Sequence, residues 1–185
     1  MAGLGDYFAL LARVEALAVR ADGVLARVEA LLPFVEPDPD WGRVLAARWR
    51  KRGPTGWLQP VAHPQAVDLG ALVAIDAQKR AIDANTRQFV AGLPANNVLL
   101  TGSRGTGKSS LVKAMLARHA GRGLRLIEVD KADLVDLPDI AERIAGRRER
   151  FVLFCDDLTF DAGEAGYKAL KVALDGSIAG GAGNV

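Results

Sequence analysis

Apolar residues in the first 35 positions recur with heptad spacing. When Leu4 is taken as position a, apolar residues fill the a, d and g rows of the pattern. These rows, here called the apolar stripe, contain Leu4, Leu11, Ala18, Leu25 and Leu32 (a), Tyr7, Val14, Ala21, Val28 and Val35 (d), and Leu10, Leu17, Val24 and Leu31 (g). The pattern predicts an amphipathic helix over residues 1–35. Gly23 could divide it into a helical hairpin and Pro33 should end it, because both residues disfavour the helix interior.

Charged residues border the apolar stripe on both sides. One border, the arginine row, holds Arg13, Arg20 and Arg27, and the other, the acidic row, holds Glu15, Asp22 and Glu29. A stripe bordered in this way can pack on the body of its own chain, or it can associate with a helix of another subunit. The sequence leaves both possibilities open.

Residues 36–67 are predicted to form a linker rich in proline and tryptophan. Three prolines within residues 33–39 remove backbone hydrogen-bond donors. A short helix is expected over residues 41–51, followed by an irregular strap over residues 53–64. The helix would end in a basic cluster that surrounds Trp49 and consists of Arg48, Arg50, Lys51 and Arg52. Such a cluster is usually a solvated face above a packed ring, although it can also contact phosphates and stack on bases.

Beyond residue 68 the sequence alternates between helical and strand patterns. Helices are predicted over residues 69–92, 108–119, 137–146 and 164–178, and strands over residues 97–101, 124–129 and 151–155. Strands and helices that alternate in this way form a parallel sheet with helices on its faces. Residues 68–185 are therefore predicted to be an α/β domain.

A glycine-rich sequence between the first of these strands and the next helix matches a phosphate-binding motif. Residues 102–109 fit the pattern G-x-x-x-x-G-K-[ST] at every fixed position. In such a P-loop, backbone N–H groups and the helix N-terminus hold phosphate, Lys108 would reach the β- and γ-phosphates, and the Ser109 hydroxyl would ligate Mg²⁺. The predicted nucleotide-binding residues are Gly102, Ser103, Arg104, Gly105, Thr106, Gly107, Lys108, Ser109 and Ser110.

Two carboxylates follow the apolar strand predicted at residues 151–155. Asp156 would stand at the carboxyl end of a parallel strand and face the same crevice as the glycine-rich loop, where it is predicted to hold Mg²⁺ through a coordinated water. Asp157 is predicted to polarise or position the attacking water. The candidate catalytic residues are therefore Lys108, Asp156 and Asp157, and the candidate metal ligands are Ser109 and Asp156. Cys155, inside the strand, is predicted to be a small buried apolar side chain.

The amino-acid composition limits the partners, the cellular location and the metal sites that can be expected. Twenty-four Lys and Arg residues against twenty-two Asp and Glu residues give little evidence for a nucleic-acid partner. One cysteine cannot form an internal disulfide and no secretory leader is visible, so a cytoplasmic location is expected. No apolar stretch approaches the roughly 18 residues of a membrane span. His63 and His119 lack cysteine or histidine neighbours at metal spacing, so no metal site built from protein ligands alone is expected.

The two motifs together resemble those of the AAA+ ATPases, and four segments look like a bacterial AAA+ family of unknown function. The segments are PANNVLLTGSRGTGKSS (94–110), LRLIEVDK (124–131), FCDDLTF (154–160) and YKALK (167–171). The likeness covers most of the chain, including the N-terminal helix. It implies ATP and Mg²⁺ as ligands. In AAA+ proteins the segment before the first strand lines the adenine pocket, which here would place Val73 and Ile75 there, with Ala74 where a glycine is usual.

The resemblance also implies a function and a further strand. In this architecture a strand lies between those at residues 97–101 and 151–155, and Asn184 and Val185 look like its first residues. The chain is therefore expected to be a C-terminally truncated part of a longer, oligomeric ATPase that couples hydrolysis to remodelling of an unidentified macromolecule. Two alternatives stay open: a P-loop kinase acting on a small molecule, and a non-catalytic assembly switch that only binds nucleotide.

Overall fold

The first helix, α1 (Leu4–Leu31), runs without interruption through Gly23, so the helical-hairpin alternative is wrong. This computed structural model describes residues 4–31, 36–159, 165–174 and 183–185, and the expected helix end at Pro33 lies outside them. The chain divides into two units, residues 1–35 and residues 36–185. None of the helices in the described ranges is both long and apolar enough to cross a membrane.

The second unit is built around a four-stranded sheet. Its strands are β1 (Ala46–Arg52), β2 (Thr55–Pro60), β3 (Leu124–Glu128) and β4 (Arg150–Phe154), in the spatial order β2-β1-β3-β4. β1, β3 and β4 are parallel, whereas β2 pairs antiparallel with β1. The predicted strands at residues 124–129 and 151–155 are therefore confirmed to within one residue at each end.

Four helices accompany this sheet. They are α2 (Asp76–Val90), α3 (Lys108–His119), α4 (Leu137–Ile144) and α5 (Ala165–Leu174). The prediction for α3 is confirmed at both ends. The helix expected over residues 69–92 is shorter, because only a 3₁₀ turn at Leu69–Ala71 precedes α2. Part of the helix expected over residues 164–178 lies outside the described residues.

The helix predicted over residues 41–51 is wrong. Only a turn precedes β1, and the following segment, expected to be an irregular strap, forms β2. Burial along β1 has the period of a strand, since Ala47 and Trp49 are buried while Arg48 and Arg50 are only partly so. Pairing on both edges, with β2 and with β3, stabilises the extended conformation of this segment.

The strand predicted over residues 97–101 is not formed. The segment has no regular secondary structure, and both Val98 and Leu99 are exposed. A strand requires a neighbour that satisfies its backbone groups, and no described strand pairs with these residues. Among the described residues, the outer edge of β4 is met by one backbone contact, in which the Phe151 N–H donates to the Asn184 carbonyl at 2.8 Å. Asn184 therefore stands beside the start of β4, where the first residues of the further strand were expected.

The core of the second unit lies on both faces of the sheet. Ala46 and Leu126 belong to one cluster and the next residues, Ala47 and Ile127, to another, because successive side chains of a strand point to opposite faces. α3 contributes Leu116 to the first cluster. The second cluster consists of Trp41, Ala47, Trp49, Leu58, Ile127, Val129, Leu134, Leu137, Ile140, Ile144 and Phe151. The second unit is thus a mixed α/β structure with a mostly parallel sheet and flanking helices.

Candidate functional site

The glycine-rich loop (residues 102–107) ends where α3 begins. Gly102, Gly105 and Gly107 have φ angles of 141°, 82° and 87°. Other residues adopt this region only with strain, which explains glycine at the two fixed positions of the motif, 102 and 107. At Gly102 a Cβ atom would also lie only 3.3 Å from Thr106 Oγ1. The loop is exposed to solvent along residues 102–106.

Lys108 folds back over the glycine-rich loop from the first position of α3. Its Nζ atom donates to the carbonyl oxygens of Gly102 and Ser103, at 2.8 Å each. The Thr106 hydroxyl donates to the same Ser103 oxygen, also at 2.8 Å. The ammonium group is thereby held inside the loop, close to the N-terminus of α3, where both the cation and the helix favour a bound anion. Of the other predicted loop residues, Arg104 is exposed and Ser110 is half-buried in the first turn of α3.

The two predicted metal ligands are in direct contact. Ser109 Oγ donates to Asp156 Oδ2 at 2.5 Å, across 47 positions of sequence. Ser109 belongs to the first turn of α3, and Asp156 follows the carboxyl end of β4. A hydroxyl oxygen and a carboxylate oxygen are the hard donors that Mg²⁺ takes, and the carboxylate is exposed. The donor set therefore fits Mg²⁺. No group of three or more His, Cys, Asp or Glu residues suited to a metal occurs in the described part of the chain.

Asp157 lies next to this pair in an unusual backbone conformation. Its φ angle is 51°, in the left-handed region that aspartate tolerates better than most residues. Its N–H donates to Asp156 Oδ1 at 3.0 Å, and this bond fixes the orientation of the Asp156 carboxylate. The Asp157 residue is exposed, and no hydrogen bond joins its side chain to the glycine-rich loop. The structure thus places the predicted catalytic acid beside the metal ligands but leaves its carboxylate available to solvent.

The segment 72–75, predicted to line the adenine pocket, approaches the same end of α3. A Cβ atom on Gly107 would lie 3.7 Å from Leu72 Cδ2, so the Leu72 side chain covers the last glycine of the loop. Val73 is exposed and Ile75 is half-buried. Ala74 has a φ angle of 62°, the conformation that glycine adopts freely. Ala74, which stands where AAA+ proteins usually have glycine, therefore has a backbone conformation that favours glycine.

The segment that leads into the glycine-rich loop is anchored to α2. Asn85 donates from Nδ2 to the Asn96 carbonyl, and Asn96 N–H donates back to Asn85 Oδ1, both at 2.8 Å. Sequence reasoning did not identify this pair, because nothing in the spacing of the two residues indicates a contact.

The family of unknown function DUF815 matches residues 42–185. The chain belongs to this family. The match begins after α1, so it does not include the N-terminal helix, to which the sequence resemblance was expected to extend. No curated protein matches the chain, and no solved structure does.

A buried ionic network in this DUF815 chain was also missed from the sequence. Asp83 of α2 is 8% exposed and His119 of α3 is 3% exposed, and Asp83 Oδ1 lies 2.8 Å from His119 Nε2. Arg118 and Arg87 pair with the same carboxylate at 2.8 Å and 3.0 Å. Burial would raise the pKa of Asp83, but the hydrogen bond with His119 and the charge of Arg118 outweigh it, so the pKa is lowered. The network joins α2 to α3, about 16 Å along α3 from Lys108.

The single cysteine is unsuited to nucleophilic chemistry. Cys155 is half-buried beside Asp156, and burial, together with the charges of Asp130 and Asp156, raises the pKa of its thiol to about 11. A thiol with so high a pKa stays protonated at neutral pH, whereas reactive cysteines have a lowered pKa. The prediction that Cys155 is buried inside the strand is wrong, because β4 ends at Phe154 and Cys155 is only half-buried, whereas its raised pKa agrees with the prediction that it is not a nucleophile.

Three residues of the basic cluster around Trp49, namely Arg48, Arg50 and Lys51, pair with acids from other elements. Arg48 pairs with Glu128 at 2.7 Å, and Lys51 pairs with Asp136 at 2.9 Å. The hydrogen bond with Asp136 raises the pKa of Lys51. Trp49 is buried and donates from Nε1 to Asp136 at 3.0 Å, so its ring offers no face on which a base could stack. The interpretation as charged residues above a packed ring is therefore confirmed.

Proposed function

We propose that this DUF815 chain binds ATP with Mg²⁺ at the glycine-rich loop and belongs to the AAA+ type of ATPase. The contact between Ser109 and Asp156 carries the proposal, since it brings the hydroxyl of one motif to within 2.5 Å of the carboxylate of the other. In this proposal the protein acts as an oligomer in the cytoplasm and couples hydrolysis to remodelling of a macromolecule. The mostly parallel sheet with helices on both faces is compatible with this type of fold.

Each residue of the site has a distinct task in this proposal. Lys108 would exchange its two carbonyl acceptors for phosphate oxygens, because hydrogen bonds between charged partners are the stronger ones. Ser109 and Asp156 would hold the metal ion, the carboxylate through a coordinated water. Bound Mg²⁺ would neutralise charge on the β- and γ-phosphates. The glycines at 102, 105 and 107 let backbone N–H groups approach the phosphates without obstruction by side chains.

Asp157 would position the attacking water and accept its proton. Its exposed carboxylate is adjacent to the metal ligands, and its N–H holds Asp156 in place. Aspartate is one methylene shorter than the glutamate found at this position in many ATPases, so the water must lie closer to the backbone. In this proposal, the position of the attacking water therefore depends on the backbone conformation at Asp157 as well as on its carboxylate.

The first experiment measures ATP affinity by calorimetry in the presence of Mg²⁺. We expect Lys108→Ala to weaken binding at least about tenfold, because a charge-assisted hydrogen bond contributes about 1.5–3 kcal/mol. Lys113→Ala is the matched control: Lys113 lies on the same helix but donates only to Gln65, at 3.1 Å. Equal affinity in Lys108→Ala and the parent, with both proteins folded, would refute the site.

The second experiment measures ADP release. Asp157→Ala should retain ATP binding and lose turnover, whereas Asp139→Ala, an exposed carboxylate on α4, should leave both unchanged. Turnover in the absence of an acceptor supports the ATPase. Turnover that requires a small-molecule acceptor would instead indicate a kinase, and nucleotide binding without turnover would indicate a nucleotide-dependent switch.

A further inference from the structure

The apolar stripe of α1 is exposed between residues 11 and 28. Six large side chains of its three rows have between 42% and 65% of their surface accessible. They are Leu11, Val14, Leu17, Val24, Leu25 and Val28. Residues 1–35 form a separate unit in which α1 is the only described element, so no other described element of that unit covers the stripe. Exposed apolar area of this extent on one face of a helix indicates a surface for another chain segment.

The charges beside the apolar stripe cannot neutralise each other within one helix. Successive residues are rotated by about 100°, which places the arginine row and the acidic row on opposite sides of the stripe, about 160° apart. Arg13 and Glu15 are two positions apart, and Glu15 and Arg20 are five apart, whereas partners on one helix face lie three or four apart. All of these side chains are exposed. Any ion pair that these side chains form must therefore have its partner outside the helix.

The arrangement of the two rows selects one orientation of a second copy. When two identical helices meet stripe to stripe and run parallel, the arginine row of each faces the acidic row of the other. When they run antiparallel, arginine faces arginine and acid faces acid, which is unfavourable. We propose that α1 associates in parallel with α1 of a second copy of this chain, through the apolar stripe and with the two charged rows paired between copies.

Charge reversal tests the pairing by the molar mass in solution, measured by light scattering at low salt. The full chain should have a mass that is a multiple of 19.6 kDa. Arg13→Glu with Arg20→Glu should lower it to that of the monomer, and so should Glu15→Arg with Asp22→Arg. Mixing the two variants should restore association, because each row then faces the opposite charge. All four positions are exposed, and circular dichroism should show unchanged helix content.

Three results would overturn the proposal. A monomeric parent would mean that the stripe packs on the body of its own chain. A parent mass that neither charge reversal changes would mean that the rows do not face each other. If the two charge-reversed variants are both folded but do not associate when mixed, repulsion between the charged rows was not the reason that each variant lost association.

A cysteine crosslink tests the orientation directly. In a Cys155→Ala background, Val14→Cys should form a disulfide-linked dimer with oxidised glutathione, because equivalent d positions meet in a parallel pair. Val19→Cys, on the side of the helix opposite the stripe, is the matched control and should remain monomeric under denaturing conditions. The two single-cysteine variants Val14→Cys and Ala21→Cys can also be mixed. A disulfide between the two variants, with none between two Val14→Cys chains, would indicate antiparallel helices and contradict the proposal.

Discussion

His119 Nε2 lies 2.8 Å from Asp83 Oδ1, and this buried contact joins the helix after the glycine-rich loop to the helix before it. Arg87 and Arg118 add ion pairs to the same carboxylate. We expect Asp83→Asn to lower the free energy of unfolding by about 1–3 kcal/mol, because the variant leaves the buried His119 and two partly exposed arginines without a charged acceptor. Urea denaturation of the second unit measures this. Asp76→Asn on the same helix is the control and should have little effect, since Asp76 is exposed and pairs only with Lys79.

The Asp83 carboxylate should make the free energy of unfolding depend on pH. Although burial opposes ionisation, His119 and Arg118 lower the pKa of Asp83 below its ordinary value. A group whose pKa is lower in the folded state stabilises the fold above its unfolded pKa of about 3.9, and this stabilisation is lost as the pH falls through the folded pKa. The parent should therefore lose stability more steeply below about pH 4 than Asp83→Asn does. Parallel slopes in the two proteins would contradict the assignment.

Cys155 should react slowly with alkylating reagents. Its pKa of about 11, against an ordinary value of 9.0, reduces the thiolate fraction at pH 8 about hundredfold. Iodoacetamide labelling followed by mass spectrometry should show a rate that is still rising at pH 10. The urea-unfolded chain provides the reference rate. Equal rates in the folded and unfolded chain at pH 8 would show that the thiol is not shielded by burial.

Asn184 should contribute to the stability of the second unit. Its Nδ2 atom donates to the carbonyl oxygens of Ile144 and Arg147, at 2.8 Å and 3.2 Å, and so satisfies groups at the C-terminal end of α4. Asn184→Ala should cost about 1–3 kcal/mol, because the side chain is buried and its acceptors would lose their donor. Thermal unfolding measures the loss. Val185→Ala, at an exposed neighbour, should be nearly neutral.

The parts of the fold that sequence predicted well are those fixed by local pattern. α3 follows a motif whose lysine must begin a helix, and β3 and β4 are short apolar runs bounded by polar residues. The contact between Ser109 and Asp156 could also be anticipated, because the carboxyl end of a parallel strand and the loop before α3 share one edge of the sheet. These inferences needed no knowledge of distant partners.

The errors concern segments whose conformation depends on distant residues. A helix was predicted where β1 forms, but Arg48 is paired with Glu128, 80 positions away, and the strand pairs with β3. Val98 and Leu99 suggested a strand, yet a strand forms only where a neighbouring strand accepts its hydrogen bonds. His119 and Asp83, 36 positions apart, gave no local signal at all. The spacing of apolar residues indicates the secondary structure that a segment favours by itself. It does not identify the distant residues with which that segment pairs.

The two anchors of the glycine-rich loop affect the entropy of ligand binding. Asn96 before the loop is held by Asn85 of α2, Lys108 after it begins α3, and the Asp83–His119 contact fixes α2 to α3. The loop is thus attached to this pair of helices directly at Lys108 and, through the irregular segment 97–101, at Asn96, which reduces its conformational freedom before any ligand arrives. A preorganised loop loses less conformational entropy when it closes around a phosphate, and more of the interaction energy remains as affinity.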